Sequence, residues 1–124
     1  ARPCLRQVDI DNLVNSLQSH TTGGLLALPV RDTMKRSNEK GQVTATVDRA
    51  NLWHALTPQM FRLGLLLDAL QQSTEGGQAV TDEAQAMELL GHVPQLVEGH
   101  ADNIKITRPL DLALASLYLQ QQED

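Results

Sequence analysis

The chain is short of the residues that usually announce a cofactor or a disulfide scaffold. Cys4 is its only cysteine, so no intrachain disulfide can form, and no Cys/His spacing suggests a zinc site. The four histidines, His20, His54, His92 and His100, are scattered and read as packing or surface residues. No apolar run approaches the roughly 20 residues that cross a bilayer, and no signal peptide is visible. A soluble, cytoplasmic protein with no membrane partner is therefore expected. Basic charge is also scarce: at a net charge of −5 the chain offers no broad basic face, which argues against nucleic acid as a partner. Aromatic residues are limited to Trp53, Phe61 and Tyr118. The single Trp falls in the run Thr46-Val47-Asp48-Arg49-Ala50-Asn51-Leu52-Trp53-His54-Ala55-Leu56-Thr57-Pro58-Gln59, whose charges and Thr-Pro step exceed what a plain strand needs.

What is present suits one domain, or part of one. At 124 residues, with 41% hydrophobic and 20% charged residues, the chain can bury one modest core and is not disordered by composition. Its charge is uneven. Residues 31 to 49 hold Arg31, Lys35, Arg36, Lys40 and Arg49 against Asp32, Glu39 and Asp48, a local balance of +2 that leaves −7 for the remainder. A small anionic ligand needs no more than such a local surplus.

The patterning alternates helix and strand. Ile10, Leu13, Val14 and Leu17 recur at helical spacing from Val8 to Leu17, and Gly23-Gly24 is read as a turn before the buried strand 25–30, where Pro29 marks a change of partner or direction. A hairpin follows, with arms 32–36 and 43–47 around the turn 37–41. It has little core of its own, and an isolated two-stranded hairpin is marginal in water, so something must support it. A strand over 52–56 is expected to give way at Thr57-Pro58 to a helix, with Thr57 as N-cap and an apolar face of Met60, Phe61, Leu63, Leu66, Leu67 and Leu70. Further expected elements are a helix from Thr81 to Gly91, a strand over 93–97, a short strand over 104–106, and a last helix opening at Pro109. That helix turns Leu110, Ala113, Leu114 and Leu117 inward and ends in a polar tail over 120–124. The order implies an α/β layer fold of parallel character. Such sheets open on a strand, whereas this chain opens on a loop, so an N-terminal half is expected to be missing from it.

Thr33, Lys35, Arg49, Thr57, Thr81 and Lys105 sit at strand ends and helix starts, where open α/β sheets hold ligands. Hydroxyls, helix N-termini and cations together suit phosphate. Each residue also has a plainer role: Thr57 and Thr81 as N-caps, Lys35 as a solvated charge, Arg49 as the partner of Asp48.

The segments Ala1-Arg2-Pro3-Cys4, Pro29 to Lys35, Thr46 to Arg49, Leu52 to Gln59, Thr81 to Ala84 and Val97 to Lys105 resemble, in the same order, the C-terminal half of the 2-C-methyl-D-erythritol 4-phosphate cytidylyltransferases. The resemblance implies the C-terminal part of a Rossmann-like nucleotidyltransferase sheet over 1–124, with a projecting β-hairpin dimerisation arm over 30–49. It implies transfer of CMP from CTP to 2-C-methyl-D-erythritol 4-phosphate with release of pyrophosphate, in a homodimer, with Mg²⁺ held mainly by the CTP phosphates. By resemblance Lys105 and Arg49 are catalytic, and Arg2, Thr33, Arg49, Thr57, Thr81 and Lys105 bind substrate, with Thr33 and Arg49 reaching the acceptor phosphate of the neighbouring subunit. The family's glycine-rich triphosphate loop, its cytosine-reading residues and an Asp just ahead of the position of Ala1 have no counterpart here, so the chain alone is expected to be inactive. Two alternatives stay open: a cytidylyltransferase acting on ribitol 5-phosphate, and a non-catalytic dimerising fragment.

Overall fold

The structure, a computed structural model, describes residues 1–123. In chain order its elements are α1 (Gln7–Leu17), β1 (Gly23–Pro29), β2 (Met34–Ser37), β3 (Val43–Val47), β4 (Trp53–Phe61), α2 (Leu63–Glu75), α3 (Glu83–Leu89), β5 (Gln95–Glu98) and α4 (Pro109–Glu123). Asp124, the end of the expected polar tail, lies outside the described residues.

The apolar run of β1 is central because both its edges are occupied, by β4 on one side and β5 on the other. It runs antiparallel to β4 and parallel to β5, so the sheet is mixed rather than purely parallel. Gly23 and Gly24 belong to this strand and are not a turn. A Cβ on Gly24 would overlap the Gln95 carbonyl, and Gly23 sits at φ 115°, so both positions need glycine. Pro29 ends β1 opposite Trp53; the strand does not turn there but loses β5, whose pairing stops at Ala27. One sheet face is closed by α1, whose Leu13 and Leu17 pack with Leu26 and Leu56. Burying each such leucine stabilises by roughly 1.5–3 kcal/mol. A second cluster, Ala69, Ala86 and Met87, joins α2 to α3.

Three further expectations fail. No helix starts at Thr57-Pro58: β4 continues through this cis peptide to Phe61, so Met60 and Phe61 are strand residues and the helix begins at Leu63. Pairing with β1 outweighs the local capping signal, and the proline is accommodated by a bulge, since Leu25 pairs with Gln59 whereas Ala27 pairs with Ala55. Residues 104–106 form no strand and are held as an irregular segment. In α4 the leucines do not point inward: Leu110 is 80% and Leu117 50% exposed, Leu114 and Ala113 are also exposed, and Ala115 is the buried residue. The leucines are spread around the helix instead of forming one stripe, so no apolar face dictates its orientation. α4 meets the rest of the chain on the face of Ala115 and Gln122, one heptad apart.

The hairpin of β2 and β3 forms as expected. All of its strand residues are exposed except the half-buried Val47, and none joins either apolar cluster. Its order comes from its ladder and from Asn38, whose side-chain oxygen accepts from the amides of Lys40 at 2.9 Å and Gln42 at 3.0 Å.

Candidate functional site

The expected site residues fall into three groups. The first is built around the loop 99–108 that follows β5. Thr57 lies in the β4 bulge, where its carbonyl is free of the ladder and accepts from the Asn103 side-chain amide at 2.8 Å. The Asn103 backbone carbonyl accepts from Arg2 Nη1 at 2.6 Å, and the Ile106 amide donates to the Ala1 carbonyl at 2.9 Å. These bonds bring Arg2, Thr57 and the backbone on both sides of Lys105 into one unit. Lys105 itself is exposed and makes no side-chain hydrogen bond among the described residues. Burial pushes the Arg2 guanidinium below its ordinary value.

Irregular backbone this close to the core must satisfy its polar groups through side chains. Asp102, only 7% exposed, accepts from Arg6 Nε at 2.9 Å and from Gln122 at 3.0 Å, with Arg6 Nη2 at 2.7 Å. Burial alone would push its carboxyl up, but the bonds from Arg6 and Gln122 and the Arg6 charge hold it below the usual carboxylate range. Hydrogen bonding to Asp102 in turn raises Arg6. Gln122 also donates to the Cys4 carbonyl at 2.8 Å. Burial first, then the Asp102 charge, pushes the Cys4 thiol up, which makes it an unreactive packing residue. At the start of the loop His100 Nδ1 meets the fully buried Asp9 at 2.7 Å.

The second group lies at the root of the hairpin. Thr33 immediately precedes β2 and Arg49 follows β3; both are exposed. Arg49 donates to the Arg31 carbonyl and not to Asp48, whose carboxylate accepts from the Ala50 amide at 3.0 Å. Lys35 is not simply solvated, since its ammonium donates to Thr46 Oγ1 at 2.8 Å. No hydrogen bond among the described residues joins this root to the loop group, but the two flank one open pocket of about 190 Å³ lined by Leu28, Pro29, Arg31, Asp32, His54 and Ala101.

Thr81 forms the third group. It caps no helix: Asp82 is the N-cap of α3 and accepts from the Gln85 amide at 2.9 Å, while the Thr81 amide donates to Gln85 Oε1 at 2.7 Å. Nor does Thr57 cap one. Gln59 docks α3 onto β4, donating to Asp82 at 3.0 Å and accepting from the Ala84 amide at 3.1 Å. Asn103, Asp102 and Gln59 carry no role in the sequence reading. No local signal marks them, since Asp102 lies in a turn, Gln59 on β4 and Asn103 in irregular chain.

Charged and hydroxyl groups of this kind can bind and orient a phosphorylated ligand. They do not form a metal cradle: among the described residues no three His, Cys, Asp or Glu side chains converge.

The family model of 2-C-methyl-D-erythritol 4-phosphate cytidylyltransferase (IspD) matches residues 1–121. The enzyme of that name from Hahella chejuensis is 60% identical over 121 residues, which cover 98% of this chain and 50% of the relative. The one from Vibrio vulnificus is 55% identical over 124 residues, covering 100% of this chain and 52% of the relative. The crystal structure of the Francisella tularensis enzyme superposes with a TM-score of 0.89 at 38% identity, over 95% of this chain and 55% of that one. The chain thus spans about half the length of the relatives it matches.

Proposed function

The chain belongs to the 2-C-methyl-D-erythritol 4-phosphate cytidylyltransferase family, and from that membership we propose that the whole protein transfers CMP from CTP to 2-C-methyl-D-erythritol 4-phosphate and releases pyrophosphate. The carrying observation is the unit of Arg2, Thr57 and the Lys105 backbone, joined by Asn103 and by the bond from the Ile106 amide to the Ala1 carbonyl, inside a chain that matches the family from residue 1 to residue 121. An oxygen of the acceptor phosphate attacks the α-phosphorus of CTP; the bond from that phosphorus to the bridging oxygen breaks, and pyrophosphate leaves. Both reactants are anions, so the protein's task is to neutralise charge and hold the attack in line. Lys105 stabilises charge at the phosphorus under attack, and Thr57 binds near the acceptor phosphate. Arg2 and Thr81 hold the acceptor's hydroxyl end. Thr33 and Arg49 bind the acceptor phosphate from the hairpin of a second copy, which supports a homodimer and accounts for a hairpin with no core of its own. Mg²⁺ travels on the CTP phosphates; among the described residues no three His, Cys, Asp or Glu side chains converge.

The test is pyrophosphate release by the full-length protein that contains this segment. Arg49→Ala and Lys105→Ala should each lower kcat/KM by about 10²–10³-fold. Wild-type rates in both variants would sink the assignments. Running ribitol 5-phosphate beside methylerythritol phosphate decides the acceptor, and a preference for ribitol 5-phosphate would replace the substrate proposed. These 124 residues alone should release no pyrophosphate, because they hold no glycine-rich triphosphate loop. Light scattering tests the homodimer, and a monomeric full-length protein would refute it.

A further inference from the structure

Three anchors hold the loop 99–108. Two of them, Asp9 with His100 and Asp102 with Arg6 and Gln122, fasten it to α1, its N-cap and α4, and bond to none of the expected site residues. The third, Asn103, is different. It is 2% exposed, its side-chain amide donates to the Thr57 carbonyl, its backbone carbonyl accepts from Arg2, and Lys105 stands two positions beyond it. The β4 bulge takes residues 56–58 out of register with β1, and the Thr57 carbonyl exposed by that slip is met by the Asn103 NH₂ group. A buried amide costs free energy unless it is bonded, and an aliphatic side chain would fill the volume more cheaply. Its value lies in what it joins.

We infer that Asn103 is a positioning residue of the acceptor site, setting Thr57, Arg2 and Lys105 in one register while touching no substrate itself. This rests on the cytidylyl-transfer reading above. Geometry is what it controls, and displacing a binding group by about 1 Å can cost about 10²-fold in rate. Replacing Asn103 by Asp keeps the shape but turns an acceptor toward the Thr57 carbonyl, which repels it. Replacing it by Ser keeps the site neutral and leaves that carbonyl unmet.

The experiment uses the full-length protein with CTP and methylerythritol phosphate, in four forms: wild type, Asn103→Asp, Asn103→Ser and His100→Ala. Steady-state constants are measured for each substrate separately, beside a thermal melt. The expected result is that the Asn103 variants fold and lose at least about tenfold in kcat/KM for the acceptor, while KM for CTP stays within about twofold. His100→Ala should lower the melting temperature and leave both constants within about twofold, because it removes a loop anchor and no link to Thr57 or Arg2. A folded Asn103 variant with wild-type acceptor constants would overturn the inference. So would an acceptor loss in His100→Ala equal to that in the Asn103 variants, or failure of both Asn103 variants to fold, since either marks Asn103 as a structural residue only. A wild-type protein that releases no pyrophosphate strikes the reaction itself, and the inference with it.

Discussion

The hairpin of β2 and β3 and the loop 99–108 are the centres of the two largest groups of candidate residues and are built in opposite ways. The hairpin has regular ladder hydrogen bonds, exposed side chains and no share in either apolar cluster. The loop has no regular structure, yet Asp102 and Asn103 are buried within it and bonded to α4, the N-cap of α1, and β4. Regularity is therefore a poor guide to where a side chain is held firmly. The Arg2 side chain and the backbone around Lys105 are held by the anchored loop, whereas Arg49 is held only by the Arg31 carbonyl and Thr33 depends on whatever the hairpin meets.

Substitutions at the two regions should separate along that line. The largest effect is expected at Asp102. Asp102→Ala strips Gln122 and Arg6 of their shared acceptor and should cost about 2–3 kcal/mol, seen as a clear fall in melting temperature. An unchanged melt would show the loop to be no better anchored than the hairpin.

Acid should act on the same anchor. The Asp102 carboxyl is held below its ordinary value of 3.8, so around that value the unfolded chain binds more protons than the folded one. The stability it contributes is present above 3.8 and is lost as pH falls through the lower folded value. Asp111 shifts the same way, because the amides of Thr107 and Arg108 donate to it. Asp102→Asn should consequently flatten the acid limb of a stability–pH curve only in part. A limb of unchanged steepness would contradict the assignment.

The hairpin should respond in activity and not in stability. Arg49→Lys keeps the charge but loses the planar two-pronged contact that guanidinium makes with phosphate, so kcat/KM for the acceptor should drop about tenfold with no shift in melting temperature. A shift in the melt without kinetic change would reverse the contrast. Smallest of all, Lys35→Ala removes one exposed hydrogen bond to Thr46 and should alter stability by less than about 0.5 kcal/mol. A larger loss would mean that the hairpin carries stability of its own.

Much of this was legible in the residues, and the exceptions share a cause. Periodicity located α1, the acids Asp82 and Glu83 and the stop at Gly91 located α3, and turn chemistry located the hairpin, because those signals act over a few neighbouring residues. Thr57-Pro58 misled, since a helix-start signal is local whereas pairing with β1 comes from a segment about thirty positions earlier. The leucines of α4 misled because spacing says that a residue is apolar without saying what covers it. Thr33, Arg49, Thr57, Thr81 and Lys105 were first singled out by their places at expected strand ends and helix starts, whereas Arg2 entered through the ordered resemblance alone. Asn103 and Asp102 could not be found that way. Their importance lies in partners distant in sequence, Thr57 and Arg2 for one, Arg6 and Gln122 for the other.

Gln122 reaches the Cys4 carbonyl across 118 positions of sequence and holds Asp102 with the same amide. A ribosome releases chain from the N-terminal end, so Cys4 emerges long before the residue that bonds its carbonyl. The sheet can pair and α1 can dock while α4 is still being made, and the loop bearing Lys105 can already meet Asp9, Arg6 and Thr57, but Asp102 lacks its second donor and the Cys4 carbonyl its partner until Gln122 arrives. The last bonds behind this loop are thereby made only at the end of translation of this segment, and a nascent chain stalled short of α4 would hold Asp102 through Arg6 alone.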